Sequence, residues 1–172
     1  MKVTDIKSNE FDQFYQRYLD KVDKRHDIIA ALLHGQTAAH EFFSTIPADR
    51  LTYRYAEGKW SVLEVLQHLI DTERVFMYRC FRIARRDTTP LAGFDQNNYI
   101  DPSVANEKSI ERLLEEFNAV RSASVSLLRS LSAEDLVFVG NANGSPVSAR
   151  AAAFMVPGHD IWHMDIIRER YL

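Results

Sequence analysis

Along almost the whole chain, apolar residues recur at helical rather than strand spacing. Phe11, Phe14, Tyr15, Tyr18, Leu19 and Val22 mark a first helical stretch. After a break near Val22–His26, the pattern continues through Ile28, Ile29, Leu32, Leu33, Gln36, Ala39 and Phe43, and Pro47 ends it. A loop through Gly58 follows. Ser61-Val62-Leu63-Glu64 then has the form of a capping box, a serine cap with a glutamate three residues on. The helix it opens is predicted to run to about Arg86, with Leu66, Ile70, Met77, Phe81 and Ala84 on its apolar face. Ile110, Leu113, Leu114, Phe117, Val120, Leu127, Leu128 and Leu131 give a third clear amphipathic helix. The last is predicted from about Ser148 to Arg170, kinked by Pro157. Between the second and third helices, Asp87 to Asn106 carries Pro90, Gly93 and Pro102 and shows no clean period, and irregular chain of that length is often functional. Asn141-Ala142-Asn143-Gly144-Ser145-Pro146 is turn chemistry. Val137-Phe138-Val139 resembles a strand but is too short to support a sheet. Long helices with one apolar face each pack most simply as an all-α four-helix bundle, here one domain over residues 1–172.

Composition narrows the function classes. The chain has 172 residues, 46% hydrophobic and 26% charged, with a formal net charge of -3, so it exerts no strong pull on nucleic acid. The small cluster Arg82, Arg85, Arg86 reads as a helix C-terminus complementing its dipole. The single cysteine, Cys80, allows no intrachain disulfide and fits a reducing compartment. It falls on an apolar face with Phe76 and Met77, where a thiol is inert. The first residues lack the apolar run of a signal peptide, and no segment approaches the roughly 20 apolar residues of a membrane span. A cytoplasmic protein, bound to neither membrane nor nucleic acid, is the expectation.

The candidate chemistry lies in the histidines. His159 and His163 are four apart, a spacing that stacks both imidazoles on one helix face about 6 Å apart at Cβ. Two side chains so placed can grip one metal ion, although such a pair also arises by chance. His68 sits in another helix, on a mixed face with Glu64, Asp71, Thr72, Val75 and Arg79 that suits a cleft better than a dry core. Three neutral imidazoles from two helices leave a coordination position open, as reactive metal sites do. His26, His34 and His40 lack tight pairing and read as ordinary core or surface residues. Asp71, one turn after His68, is a candidate general base or imidazole-orienting group; the competing reading is an ion pair with Arg74. Asp160 directly follows His159, where H-E-x-x-H zinc proteases place their glutamate. It is one methylene shorter, and the third histidine lies upstream on another helix, so the protease reading is rejected. Trp60, Tyr78, Phe94 and Tyr99 are candidates to line a pocket, against plainer roles as bundle core for Trp60 and loop anchors for Phe94 and Tyr99. Asp87–Asn106 is a candidate cover for the site's open end.

An ordered set of blocks resembles a known family. Gly58-Lys59-Trp60-Ser61 leads into His68-Leu69-Ile70-Asp71-Thr72-Glu73-Arg74, then Tyr78-Arg79, Arg85-Arg86-Asp87 and Pro90-Leu91-Ala92-Gly93-Phe94-Asp95. Glu116-Phe117, Val120-Arg121, Gly158-His159 and His163 with Arg168-Glu169-Arg170-Tyr171-Leu172 complete it. From about residue 10 to the end these are similar to the DinB-like superfamily of bacterial four-helix bundles. The resemblance implies a three-histidine site for a divalent metal ion, zinc or nickel being expected, at His68, His159 and His163. It implies a metal-dependent hydrolase, or a transferase using a low-molecular-weight thiol, acting on a small molecule; any thiol would come from solution rather than from Cys80. A homodimer is expected. The alternative is a non-catalytic, stress-related metal-binding or dimerising bundle. Two departures stand out: Trp162 precedes His163 where many members carry a second histidine, and Pro157 is less expected.

Overall fold

The structure is a computed structural model and describes residues 1–172. In chain order its elements are α1 (Gln16–Leu19), α2 (Ile28–Ser44), α3 (Ala48–Leu51), α4 (Val62–Ala84), α5 (Asn97–Ser103), α6 (Ile110–Arg129), α7 (Ala133–Leu136), β1 (Val139–Ala142), β2 (Ser145–Ser148) and α8 (Ala149–Arg170). Four long helices, α2, α4, α6 and α8, form the bundle. Each starts where a short polar side chain satisfies a backbone N–H that the first turn cannot. Asp27 Oδ1 accepts from Ala30 N at 2.9 Å and Ser109 Oγ from Arg112 N at 3.2 Å. Ser148 Oγ accepts from Ala151 N at 3.0 Å. The capping box at α4 forms as expected, with Ser61 N donating to Glu64 Oε2 at 2.7 Å and Glu64 N donating back to Ser61 Oγ at 3.2 Å.

The packing is crossed. Both α2 and α4 pack against α6 and α8, so α2 lies diagonally across the bundle from α4, and α6 from α8, while α4 and α6 are side by side. That arrangement divides the interior into layers along the helix axes. One apolar cluster is built around Phe76, Met77, Cys80 and Ile83 of α4 with Ala151–Val156 of α8. A second is built around Val62–Ile70 of α4 (its apolar members) with Met164 and Ile167 of α8 and Leu113 and Phe117 of α6. Between them lies a buried polar layer: Thr72 and Glu73 of α4, Arg121 of α6, and His159, Asp160 and His163 of α8.

Three features differ from the sequence reading. The stretch Phe11–Val22 is not one helix; it is a 3-10 turn, Gln13–Tyr15, running into the four-residue α1. What fixes it is tertiary. A Cβ on Gly158 would stand 2.0 Å from the Tyr18 carbonyl oxygen, so only glycine lets this segment lie directly on α8. Asp87–Asn106 is not wholly irregular, because it contains α5 and a one-residue bridge from Leu91 to Ala142. The residues around Asn141–Pro146 form a real hairpin, β1 antiparallel to β2, turning through Asn143 and Gly144, both at positive φ (54° and 79°). Asn-Gly at positive φ matches the right-handed twist of two tightly joined strands. The bridge to Leu91 and the hydrogen bond from Ala149 N to the Phe138 carbonyl (3.0 Å) anchor this hairpin, which offsets its shortness. Pro157 lies inside α8, which continues through it to Arg170.

Candidate metal centre

α4 delivers His68 and α8 delivers His159 and His163, and their contact across the bundle brings the three rings together. Ring centroids stand 4.9 Å (His68–His159), 4.9 Å (His68–His163) and 4.5 Å (His159–His163) apart. His68 Nε2 and His159 Nε2 are 3.1 Å apart, and one nitrogen from each ring lies within 4.8 Å of the others. All three side chains are buried. Burial pushes the His68 imidazole down to about 4, and the other two well below the ordinary histidine range, His159 helped by its neighbours' charges and His163 by that of His68. The three are therefore neutral at pH 7, the form in which imidazole binds a metal.

The donor set fits a divalent ion. Two tetrahedral nitrogen ligands at about 2.0–2.1 Å from zinc stand roughly 3.4 Å from each other, close to the 3.1 Å between the two Nε2 atoms. Thr72 Oγ1 lies 3.3 Å from His68 Nδ1. With Nε2 turned toward a metal, Nδ1–H donates to that hydroxyl, which fixes the tautomer and the ring.

The histidines face a cavity of about 550 Å³ whose far wall comes from the N-terminal segment. The Tyr18 ring packs edge-on against His159 (5.0 Å) and Trp162 (5.7 Å), and the Trp60 ring lies 4.7 Å from His68. Phe14, Tyr15, Phe76 and Phe94 add further aromatic surface, while Asp12, Arg17, Arg79, Gln96, Asn143 and Ser145 supply polar groups.

Each sequence candidate has a definite place. Trp60 lines the cavity, as do Phe94 and Gln96 of the segment between α4 and α6. Tyr99 packs on Phe94 (5.4 Å) outside the lining. Tyr78 is half-exposed in a shallow groove between α4 and α6. Asp71 is off the cavity wall and forms the ion pair with Arg74 that was its competing reading: its Oδ1 accepts from Arg74 Nη1 (2.8 Å) and Gln67 Nε2 (3.2 Å). Asp160 points away from the histidines into an ion cluster, where its Oδ2 accepts from Arg121 Nη2 at 2.6 Å. Cys80 is fully buried, with its thiol pushed up to about 12. His26 and His34 stack face to face at 4.1 Å, away from the site.

The sequence reading missed the aromatic wall from Phe14, Tyr15 and Tyr18, whose spacing is equally that of a helix face. It also missed Asn143 and Ser145, brought in by the hairpin. Arg79 and Thr72 carried a signal, because both share the mixed face of α4 with His68.

The DinB superfamily model matches residues 31–167. The chain belongs to this superfamily. Among solved structures it is similar to YfiT from Bacillus subtilis, with a TM-score of 0.75, 16% identity and 85% of each chain covered. That protein is described as a probable metal-dependent hydrolase with an unusual four-helix bundle topology. No curated protein matches the chain. No helix of this DinB-superfamily bundle is long and apolar enough to cross a membrane.

Proposed function

We propose that this protein is a metal-dependent enzyme acting on a small molecule, with a divalent ion, zinc or nickel, held by His68, His159 and His163. One observation carries the reading: three buried, neutral imidazoles converge within 4.8 Å at the wall of a cavity large enough for a small substrate. A metal bound only as structural cement has no need of that cavity. Three protein ligands leave a coordination position for a reactant. A divalent ion held there supplies Lewis acidity, which makes water or a thiol nucleophilic at neutral pH. Hydrolysis and transfer of a low-molecular-weight thiol from solution are the two reactions this supports. The buried, unreactive Cys80 leaves the chain without a thiol of its own. The description of YfiT favours hydrolysis in that protein.

The chain's own residues have separable tasks. His68, His159 and His163 bind the ion, and Thr72 orients His68 through its Nδ1. The rings of Tyr18, Trp60 and Trp162 shield the histidines from bulk water. A cytosolic homodimer completes the proposal.

Metal content, measured by mass spectrometry on untagged protein, tests the reading. Wild type should carry near-stoichiometric zinc or nickel, and His159→Ala should carry almost none while keeping its helical circular dichroism. A wild-type protein that takes up no metal after incubation with zinc or nickel salts would overturn it.

A further inference from the structure

We propose that the cavity holds a carboxylate-recognition subsite built on Arg79, so that the small molecule acted on at the histidines carries a carboxylate remote from its reacting group. This rests on the cavity being the substrate site but not on a metal being present.

Three arginines are buried in this protein: Arg79, Arg121 and Arg150. Arg121 is paired with Glu73 and Asp160, and Arg150 with Glu10. Arg79, only 5% exposed, forms no ion pair. Its one hydrogen bond runs from Nη2 to the Ala92 carbonyl at 3.0 Å, and its Cζ stands 5.8 Å from the centre of the Phe94 ring. A guanidinium carries five N–H donors, and burying its charge without an anion is costly. The remaining donors belong to a side chain on the cavity wall.

The one carboxylate on that wall is already engaged. Asp12 Oδ1 accepts from Phe14 N at 2.8 Å and Oδ2 from Ser145 Oγ at 3.0 Å. A second cation, Arg17, stands exposed on the same wall, its Nε donating to the Phe14 carbonyl. In a protein with a net charge of -3, this lining has more cations than anions. The one buried, unpaired guanidinium, on a wall whose amide side chains, Gln96 and Asn143, are neutral, balances one negative charge. It also matches the planar two-oxygen edge of a carboxylate, which a lysine would not.

The position of Arg79 sets the ligand's shape. His68, Thr72, Phe76 and Arg79 follow one another along one face of α4, all on the cavity wall. Arg79 is eleven positions beyond His68, about 16 Å along the helix axis at 1.5 Å per residue. Phe76 lies between them, with Tyr15 and Phe94 also on the wall. The ligand this fits has a charged carboxylate at one end, an apolar or aromatic body, and its reacting group at the other.

Calorimetric titration with 3-phenylpropionate, its uncharged analogue 3-phenylpropanol, and phenylphosphonate tests this. The titrations use full-length protein, both zinc-loaded and stripped with chelator. In stripped protein the acid should bind saturably and more tightly than the alcohol. Arg79→Gln should weaken the acid about tenfold or more and leave the alcohol unchanged, while Arg79→Lys should recover part of the loss. Survival of this pattern without metal would establish the subsite even if the metal reading failed. Equal affinity of acid and alcohol for wild type overturns the proposal and needs no variant to fold. No saturable binding of the acid at millimolar concentration, or an Arg79→Gln protein that binds it as wild type does, overturns it as well. Phenylphosphonate binding tenfold tighter than the acid would overturn the carboxylate assignment in favour of a phosphoryl group.

Discussion

The same buried layer of the bundle holds two polar clusters, and consecutive residues of α8 feed one each: His159 enters the histidine cluster, Asp160 the ion cluster. In the ion cluster every strong donor is used. Arg121 Nε and Nη2 donate to Glu73, Nη2 also to Asp160, and Nη1 to the Leu32 carbonyl. The cluster is sealed, with Arg121, Glu73 and Asp160 each at most 1% exposed. In the histidine cluster, three neutral rings face one another, Thr72 is the one outside hydrogen-bonding partner, and a cavity lies alongside. Burial alone therefore does not mark function in this layer. The distinguishing mark is convergence of lone pairs without opposing donors, next to a space that admits a reactant.

The contrast breaks most sharply at Arg121. Arg121→Met leaves Glu73 and Asp160 buried without their cation and should cost about 3–5 kcal/mol in urea unfolding. Replacing all three charged residues by apolar ones of similar size should recover most of that loss, because the cost lies in the unpaired charge. An Arg121→Met protein within 1 kcal/mol of wild type would remove the claim that this cluster is structural.

Acid separates the clusters next. An imidazole ordinarily titrates near 6.5, and burial holds His68 at about 4. Between those values the unfolded chain binds a proton that folded His68 refuses, so its contribution is complete above about 6.5 and lost as pH falls toward about 4. Asp160 has the opposite sign: burial, and then Glu73, hold it up at about 6 against the opposing pull of Arg121, so its contribution is largest in acid and fades as pH rises through that value. Metal-stripped wild type should therefore lose stability relative to His68→Ala as pH is lowered from 7 to 4, followed by chemical denaturation at each pH. Parallel stability curves for the two proteins would contradict the buried, neutral state of His68.

The sequence disclosed these clusters unequally, for a physical reason. His159 and His163 were legible because their geometry is local to one helix, and helix periodicity is fixed. The α4 cap was legible for the same reason. The Arg121 cluster joins residues 48 and 39 positions apart, and only the crossed packing of α4, α6 and α8 brings them together. Asp71 shows the converse, since one-turn spacing from His68 does not fix which way a side chain leans, and Arg74 on the same helix captured it. The aromatic wall was hidden because Phe14, Tyr15 and Tyr18 fit a helix pattern. Their true placement depends on a glycine more than a hundred residues away, Gly158 beneath Tyr18.

The smallest expected effect sharpens the comparison from the histidine side. Thr72 is buried at 3% exposure, and its hydroxyl is the contact that distinguishes one His68 tautomer from the other. Thr72→Val keeps the shape and removes the acceptor. Metal affinity should fall about 10-fold, within the range seen when an outer hydrogen-bond partner of a ligand is lost. Competition with a chromophoric chelator measures it. Fold stability without metal should change by only about 1 kcal/mol, since one neutral hydrogen bond is at stake. An equal loss of stability with metal affinity untouched would place Thr72 with the structural cluster. A loss of affinity at near-constant stability would place it with the histidines, as the outer part of a site that orients its ligands before the ion arrives.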